Sequence, residues 1–253
     1  MTDVSAASAH FVTNDFRLGS VISRSGAVLS RHFLTFFIVA VIAYSPALLT
    51  ESMQTTEPIE PSEALSQGLW LILGGILLMV LPQLGNAIIL HTAFQDMRRR
   101  PVGLIESFNV GLSRFLPVIG IAFVRGFLIM FWMILLIVPG LILYTMWFVG
   151  LPACVVEGLG PWTSLRRSRE LTKGYRWKVF ALVALSLSLV NAGGGVIELV
   201  LTALADPIAG LTGQMIWTGI AGAFVGVVIT VTYYDLRMIK EGVDIDQIAA
   251  VFD

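Results

Sequence analysis

Charge and cysteine are what this chain lacks most. Asp, Glu, Lys and Arg make up 13% of its 253 residues, about half the usual share of a water-facing domain. Most of its surface must therefore face something other than water. The single cysteine, Cys154, excludes an internal disulfide framework; set in an apolar run, it reads as a small buried hydrophobe rather than a reactive thiol. The three histidines, His10, His32 and His91, fall in no metal-ligand spacing. No glycine-rich phosphate loop runs into a lysine, and there is no nucleophile elbow and no cysteine pair. The expectation is a protein that is not an enzyme, with no catalytic residues, no metal and no cofactor. A net charge of -1 makes no case for a nucleic-acid partner, and none is expected. The opening MTDVSAASAHFV has no basic region ahead of an apolar one, so no cleaved signal peptide is expected.

What the chain has is apolar length. Hydrophobic residues are 56% of the total and the mean hydropathy is +0.84. About twenty apolar residues cross the hydrocarbon core of a bilayer. Runs of that kind predict six crossings, at about 33–50, 66–95, 115–138, 141–156, 177–203 and 213–234. Pro46, Pro82 and Pro152 lie inside these runs, which membrane helices tolerate. Pro139-Gly140 reads as a tight turn between the third and fourth. Ahead of the first crossing, Leu18, Val21, Ile22, Val28 and Leu29 recur at helical spacing opposite Arg17, Ser20, Arg24 and Arg31. That is the pattern of a helix lying in the membrane interface. The segment around Leu104, Ile105, Phe108 and Leu112 repeats it, and 161–176 is the most basic stretch. Residues 235–253 form an amphipathic tail with Leu236, Ile239, Val243, Ile245 and Ile248 on one side. Residues 1–13 read as a disordered tail and 14–253 as a single integral membrane domain. The fold class is all-α: a polytopic membrane protein with six transmembrane helices and three or four interfacial amphipathic helices.

Charge sorts the two sides. With the N-terminus inside and each crossing switching sides, fifteen of the sixteen Lys and Arg fall on the inner side. None falls in the outer loops 51–65, 139–140 and 204–212, and the sixteenth, Arg125, lies within a crossing. Six crossings with both termini cytoplasmic satisfy the positive-inside rule, and five or seven would break it. A short pattern also recurs: Leu29-Ser30-Arg31, Leu112-Ser113-Arg114 and Leu171-Thr172-Lys173 each end an interfacial segment and open a crossing. Each following pair of crossings closes on an acid, Asp96, Glu157 or Asp235. This predicts a threefold internal repeat of one interfacial helix and a helix pair. The bland alternative is that any cytoplasmic helix entering a membrane ends in a basic residue near the headgroups.

The stretch LPACVVEGLGPWTSLRRSRELTKGYRW, with Pro152, Glu157, Leu165, Arg167-Ser168, Leu171-Thr172, Gly174 and Trp177, resembles the signature of a known family. This is the glycerophosphoryl diester phosphodiesterase membrane-domain family with its uncharacterised YciC-like bacterial relatives. Ser164 departs from it, the family usually having Ala there. The N-terminal interfacial helix and the segment YYDLRMIKEGVDI look like the same family's ends. The resemblance implies a domain of the bacterial inner, or cytoplasmic, membrane with no settled function. In fused members a separate soluble barrel carries the phosphodiesterase chemistry. No such barrel is read in this sequence, so nothing catalytic carries over.

Arg125 is the first candidate for function. It sits ten residues into its crossing, roughly 15 Å along a helix, where an arginine costs about 2.5–3.5 kcal/mol on insertion scales and should face protein or water. Tyr44, Ser45 and Asn86 lie at similar depth and Asn191 somewhat deeper. Together they form either a polar substrate or headgroup site or a structural hydrogen-bond cluster. Glu198 could pair with Arg125 if the fifth helix breaks at Gly193-Gly194-Gly195; otherwise those glycines permit close helix packing. Gly222 and Gly226 form a packing motif first and a dimer motif second. Arg166, Arg167, Arg169, Lys173, Arg176 and Lys178 are the candidates for lipid-headgroup contact.

The expected partners are membrane lipids, with protein partners in a membrane complex or a homo-oligomer. The function expected is that of a non-enzymatic protein that organises the membrane or serves as an accessory subunit of a larger complex. The rival is a transporter or lipid-translocating protein built around Arg125, and a third class is an enzyme acting on a phospholipid.

Overall fold

The computed structural model describes residues 16–52, 61–98 and 104–241. Among them are ten α-helices and no strand: α1 Leu18–Arg31, α2 Phe33–Ser52, α3 Pro61–Met97, α4 Leu104–Ser113, α5 Phe115–Leu135, α6 Ile137–Met146, α7 Gly150–Glu157, α8 Pro161–Thr172, α9 Arg176–Leu204 and α10 Pro207–Glu241. The tail read at 1–13, the central part of the first outer loop at 53–60, Arg99, Arg100 and residues 242–253 lie outside the described residues.

Among the described residues, five helical segments are long and apolar enough to cross a membrane: Leu65–Met97, Phe115–Leu135, Ile137–Glu157, Arg176–Leu204 and Ala209–Glu241. At 1.5 Å per residue the shortest reach about 31 Å, the thickness of the hydrocarbon core. Their outward faces carry large apolar side chains in the open, such as Leu69, Ile72 and Ile76 on α3, Phe123, Phe127 and Ile134 on α5, and Val196 and Leu199 on α9. Such a surface suits lipid and not water. The chain is an all-helical membrane protein.

The helices form two tiers. α3, α7 and α10 touch one another, and their facing side chains make the core: Ile89, Ala93 and Phe94 from α3, Ala153 from α7 with Val149 just ahead of it, Val227, Val231, Tyr233 and Leu236 from α10. α2, α5 and α9 lie outside them with mostly open faces. Lipid offers no hydrophobic drive between helices, so close approach depends on small residues. A Cβ on Gly85 would stand 2.9 Å from that of Ala43, and one on Gly226 3.3 Å from Ile89. Gly226 of the expected packing motif thus seats α10 against α3; Gly222 is partly buried on the same helix.

α1 is turned 86° from the first part of α2, Phe33–Ala43. It buries Val21, Ser25 and Val28, one side chain per turn, against α10.

Three expectations need correction, and the alternative left open at the fifth-helix glycines is decided for close packing. The break between the third and fourth spans is not at Pro139-Gly140 but at Leu136, whose backbone is extended (φ -154°, ψ 120°). Pro139 cannot donate to the carbonyl of Leu135, so α5 stops there. Pro139 then sits in the first turn of α6, where a missing N–H costs nothing. The fourth span is Ile137–Glu157, longer than 141–156 and broken into α6 and α7 at Trp147–Val149. α9 runs unbroken through Gly193-Gly194-Gly195; a Cβ on Gly193 would stand 2.5 Å from Nε1 of Trp217, so the glycines admit that ring. α10 begins at Pro207 and continues to Glu241, well past the expected 213–234, which shortens the preceding loop to Ala205-Asp206 and absorbs the start of the amphipathic tail.

Candidate functional site

The break in the fourth span creates a local problem that its neighbours solve. Pro152 has no N–H for the carbonyl of Phe148. At the break the backbone tightens to three-residue bonds, Phe148 N to Thr145 O (3.4 Å) and Gly150 N to Trp147 O (3.1 Å). The carbonyl of Met146 is left without the donor a continuous helix would give it. In a membrane a bare carbonyl costs several kcal/mol. Two fully buried hydroxyls of α8 answer it: Ser168 Oγ donates to Met146 O at 2.8 Å and Thr172 Oγ1 at 3.3 Å.

Arg125 belongs to the same device. Its Nη1 donates to Trp147 O at 3.4 Å, and its guanidinium lies over the Tyr144 ring, 5.7 Å from the centroid. A cavity of about 250 Å³ beside it is lined also by Gln83, Gly126 and Leu151. An intramembrane arginine held by a backbone carbonyl and an aromatic face is what its desolvation cost demands.

The other midplane candidates are placed elsewhere. Asn86 lies against α10 beside Gly226. Ser45 donates to Ile42 O of its own helix at 2.9 Å and lines an apolar groove between α2 and α10. Asn191 is exposed and donates to Leu187 O at 2.8 Å. Tyr44 falls within α2, its side chain outside the described residues. Among the described residues no ion pair joins Arg125 to Glu198; the Glu198 backbone lies against Gly210, at the start of α10. Tyr144, whose ring Arg125 covers, and Gln83, which lines the same cavity, were not singled out from sequence as candidates. Their signal was weak, since each is a lone polar residue in an apolar run.

At one end of the bundle a layer of ion pairs fastens the short helices to the long ones. Asp96, closing α3, meets His32 Nε2 at 3.0 Å and Arg31 Nη2 at 2.8 Å, the latter an ion pair by distance without the alignment of a hydrogen bond. Glu157, closing α7, accepts from Arg167 Nε at 3.0 and 3.1 Å and from the Tyr233 hydroxyl at 2.6 Å. Arg167 also pairs with Glu241, which accepts from Arg237 Nε at 2.8 Å. Asp235, near the end of α10, pairs with Arg24 of α1. Burial alone would lower the basicity of Arg167; its bonds to Glu241 and Glu157 outweigh this and raise it. The three acids that mark the ends of crossings in the sequence therefore each receive a basic partner from a short helix.

The basic helix divides accordingly. Arg166, Arg169, Lys173 and Arg176 are exposed. Arg167 turns inward to the carboxylates, and Lys178 Nζ donates to Phe16 O at 2.8 Å. Among the described residues no cluster of three His, Cys, Asp or Glu could hold a metal ion. Beside the ion-pair layer, the ends of α3, α4, α7 and α10 enclose a polar cavity of about 680 Å³.

Compared with known proteins, the chain matches no family model, no curated protein and no solved structure.

Proposed function

We propose that this is a non-enzymatic multi-pass membrane protein that organises the lipid around it, or serves as an accessory subunit of a larger membrane complex, with its interfacial helices against anionic lipid. One observation carries this: α1 and α8 are fastened to the ends of the long helices through Asp96, Asp235 and Glu157. Short helices held in this way stay at headgroup depth. The exposed Arg166, Arg169, Lys173 and Arg176 then face lipid phosphates, each cation contributing about 1 kcal/mol near an anionic surface.

The proposal includes a topology. α2 is a first crossing, giving six, with both termini on the cytoplasmic side of a bacterial inner membrane. Three units follow, α1–α2–α3, α4–α5–α6/α7 and α8–α9–α10, each a short helix, an outer helix and an inner one. Two clasps support the repeat: Glu157 ties the end of the second unit to the short helix of the third, and Asp235 ties the end of the third back to that of the first. The resemblance of residues 151–177 points the same way.

Native mass spectrometry of the protein released from nanodiscs of mixed phosphatidylglycerol and phosphatidylcholine tests it. Anionic lipid should be enriched on the wild type and fall to the bulk ratio for Arg166→Gln/Arg169→Gln/Lys173→Gln. Equal composition for both proteins would end this reading.

A second reading, transport or lipid translocation, is favoured by the cavity beside Arg125. It requires flux in reconstituted vesicles that Arg125→Ala abolishes while the fold survives.

A further inference from the structure

We infer that the cavity enclosed by the ends of α3, α4, α7 and α10 binds a phosphate ester, carried either by a lipid headgroup or by a soluble molecule. The inference goes beyond lipid adhesion by α8, since it uses other helices and other side chains. At about 680 Å³ the cavity has room for roughly twenty waters at about 30 Å³ each, space for an esterified group rather than a bare ion.

Three arginines, Arg98, Arg114 and Arg237, face this space together with His91 and one carboxylate, Glu157. That carboxylate is already engaged by Arg167 and Tyr233, and the charge of Arg237 is met by Glu241. Arg114 stands apart. Its Nη1 donates to Gly158 O at the long distance of 3.5 Å, and among the described residues no carboxylate pairs with it.

The backbone makes room for this guanidinium. Gly158 closes α7 in the left-handed region (φ 67°), which glycine adopts without strain. A Cβ there would stand 2.7 Å from Arg114 Nη2. The fork of an arginine with unused donors suits the oxygens of a phosphate.

Gln95 supplies the complementary half. Its Oε1 is buried with no hydrogen-bond partner, while its Nε2 lies 3.4 Å from His91 Nε2. A buried acceptor left bare is costly, and a ligand donor would meet that need. A phosphate ester bearing a hydroxyl or ammonium group satisfies both sites: its oxygens take Arg114 and its donor takes Gln95. The cavity opens where α3 and α7 end, the depth at which the phosphates of a bilayer lie.

The full chain, purified in nonionic detergent, would be titrated with dihexanoyl phosphatidylethanolamine, phosphoethanolamine and dihexanoyl phosphatidylcholine while its unfolding midpoint is followed by tryptophan fluorescence. A saturable rise with phosphatidylethanolamine alone identifies a lipid headgroup, and one with phosphoethanolamine identifies a soluble ester; phosphatidylcholine, which has no N–H to give Gln95, should give none, and an equal response to it would overturn the assignment. Arg114→Gln should weaken the response at least tenfold. Should Arg114→Gln fail to fold, Ser113→Asp, at the exposed lip of the cavity, should do the same by repulsion. Arg166→Gln/Arg169→Gln/Lys173→Gln should leave the response unchanged, which separates this site from adhesion by α8. No saturable response to either ester, or one that Arg114→Gln and Ser113→Asp leave intact, would overturn the assignment.

Discussion

Tyr233→Phe removes one oxygen atom from the layer that ties the short helices to the bundle. The ring is fully buried and packs against Phe94, with centroids 6.2 Å apart, so the substitution leaves the packing in place. It deletes a 2.6 Å bond to the Glu157 carboxylate and the acceptor that Arg237 Nη1 uses at 3.2 Å. Glu157 keeps Arg167 at 3.0 and 3.1 Å, so the carboxylate is weakened and not orphaned. A hydrogen bond to a charged group contributes about 1.5–3 kcal/mol, and a loss of about 2 kcal/mol is expected. For a chain of this size that lowers the melting midpoint by about 4–8 °C. Thermal unfolding in mild detergent, followed by tryptophan fluorescence, measures it. A double-mutant cycle with Glu157→Gln should return a coupling of about 1 kcal/mol or more, since the two groups touch. A loss under about 0.5 kcal/mol with no coupling would mean that the contact holds nothing, and the fastened layer would lose its central link.

The cap on the broken span can be tested in the same assay. Ser168→Ala should cost about 1 kcal/mol, and Ser168→Ala/Thr172→Val about 2–3 kcal/mol, because the second substitution strips the last α8 hydroxyl from the Met146 carbonyl; a double variant no worse than the single one would contradict this. Gly193→Ala should destabilise by about 1–3 kcal/mol through overpacking and shift the emission of Trp217, whose Nε1 now donates to Leu189 O at 3.0 Å; an unchanged spectrum would show that the ring was never pinned there. Cysteine placed at Asp206 should react with an impermeant maleimide on intact cells, and cysteine placed at Lys173 only after permeabilisation. Cys154 is buried and should stay silent, and a reversed pattern would invert the proposed topology.

Much of the candidate site was out of reach of sequence reading, for an identifiable reason. The spans are apolar on nearly every face, so their hydrophobic pattern does not separate the side that meets lipid from the side that meets protein. Depth along a helix could be counted, and it placed Arg125, Asn86, Ser45 and Asn191 in one layer. Rotation about the helix could not, and rotation sends Asn191 outward, Asn86 to α10 and Ser45 to a separate groove. The same limit hid the inward turn of Arg167 on a helix whose neighbours Arg166 and Arg169 face out.

The sequence by itself determined that the protein is all helix and that it belongs in a membrane. Both follow from local sums: enough consecutive apolar residues to cross the core, in the only open-chain structure that satisfies its own backbone there. The tertiary structure decided which charges meet. His32 and Asp96 are 64 residues apart, Glu157 and Tyr233 are 76, and Arg24 and Asp235 are 211. No local pattern encodes such pairings; they form because the inner helices converge at one end, where each buried acid needs a cation and the short helices are the elements in reach.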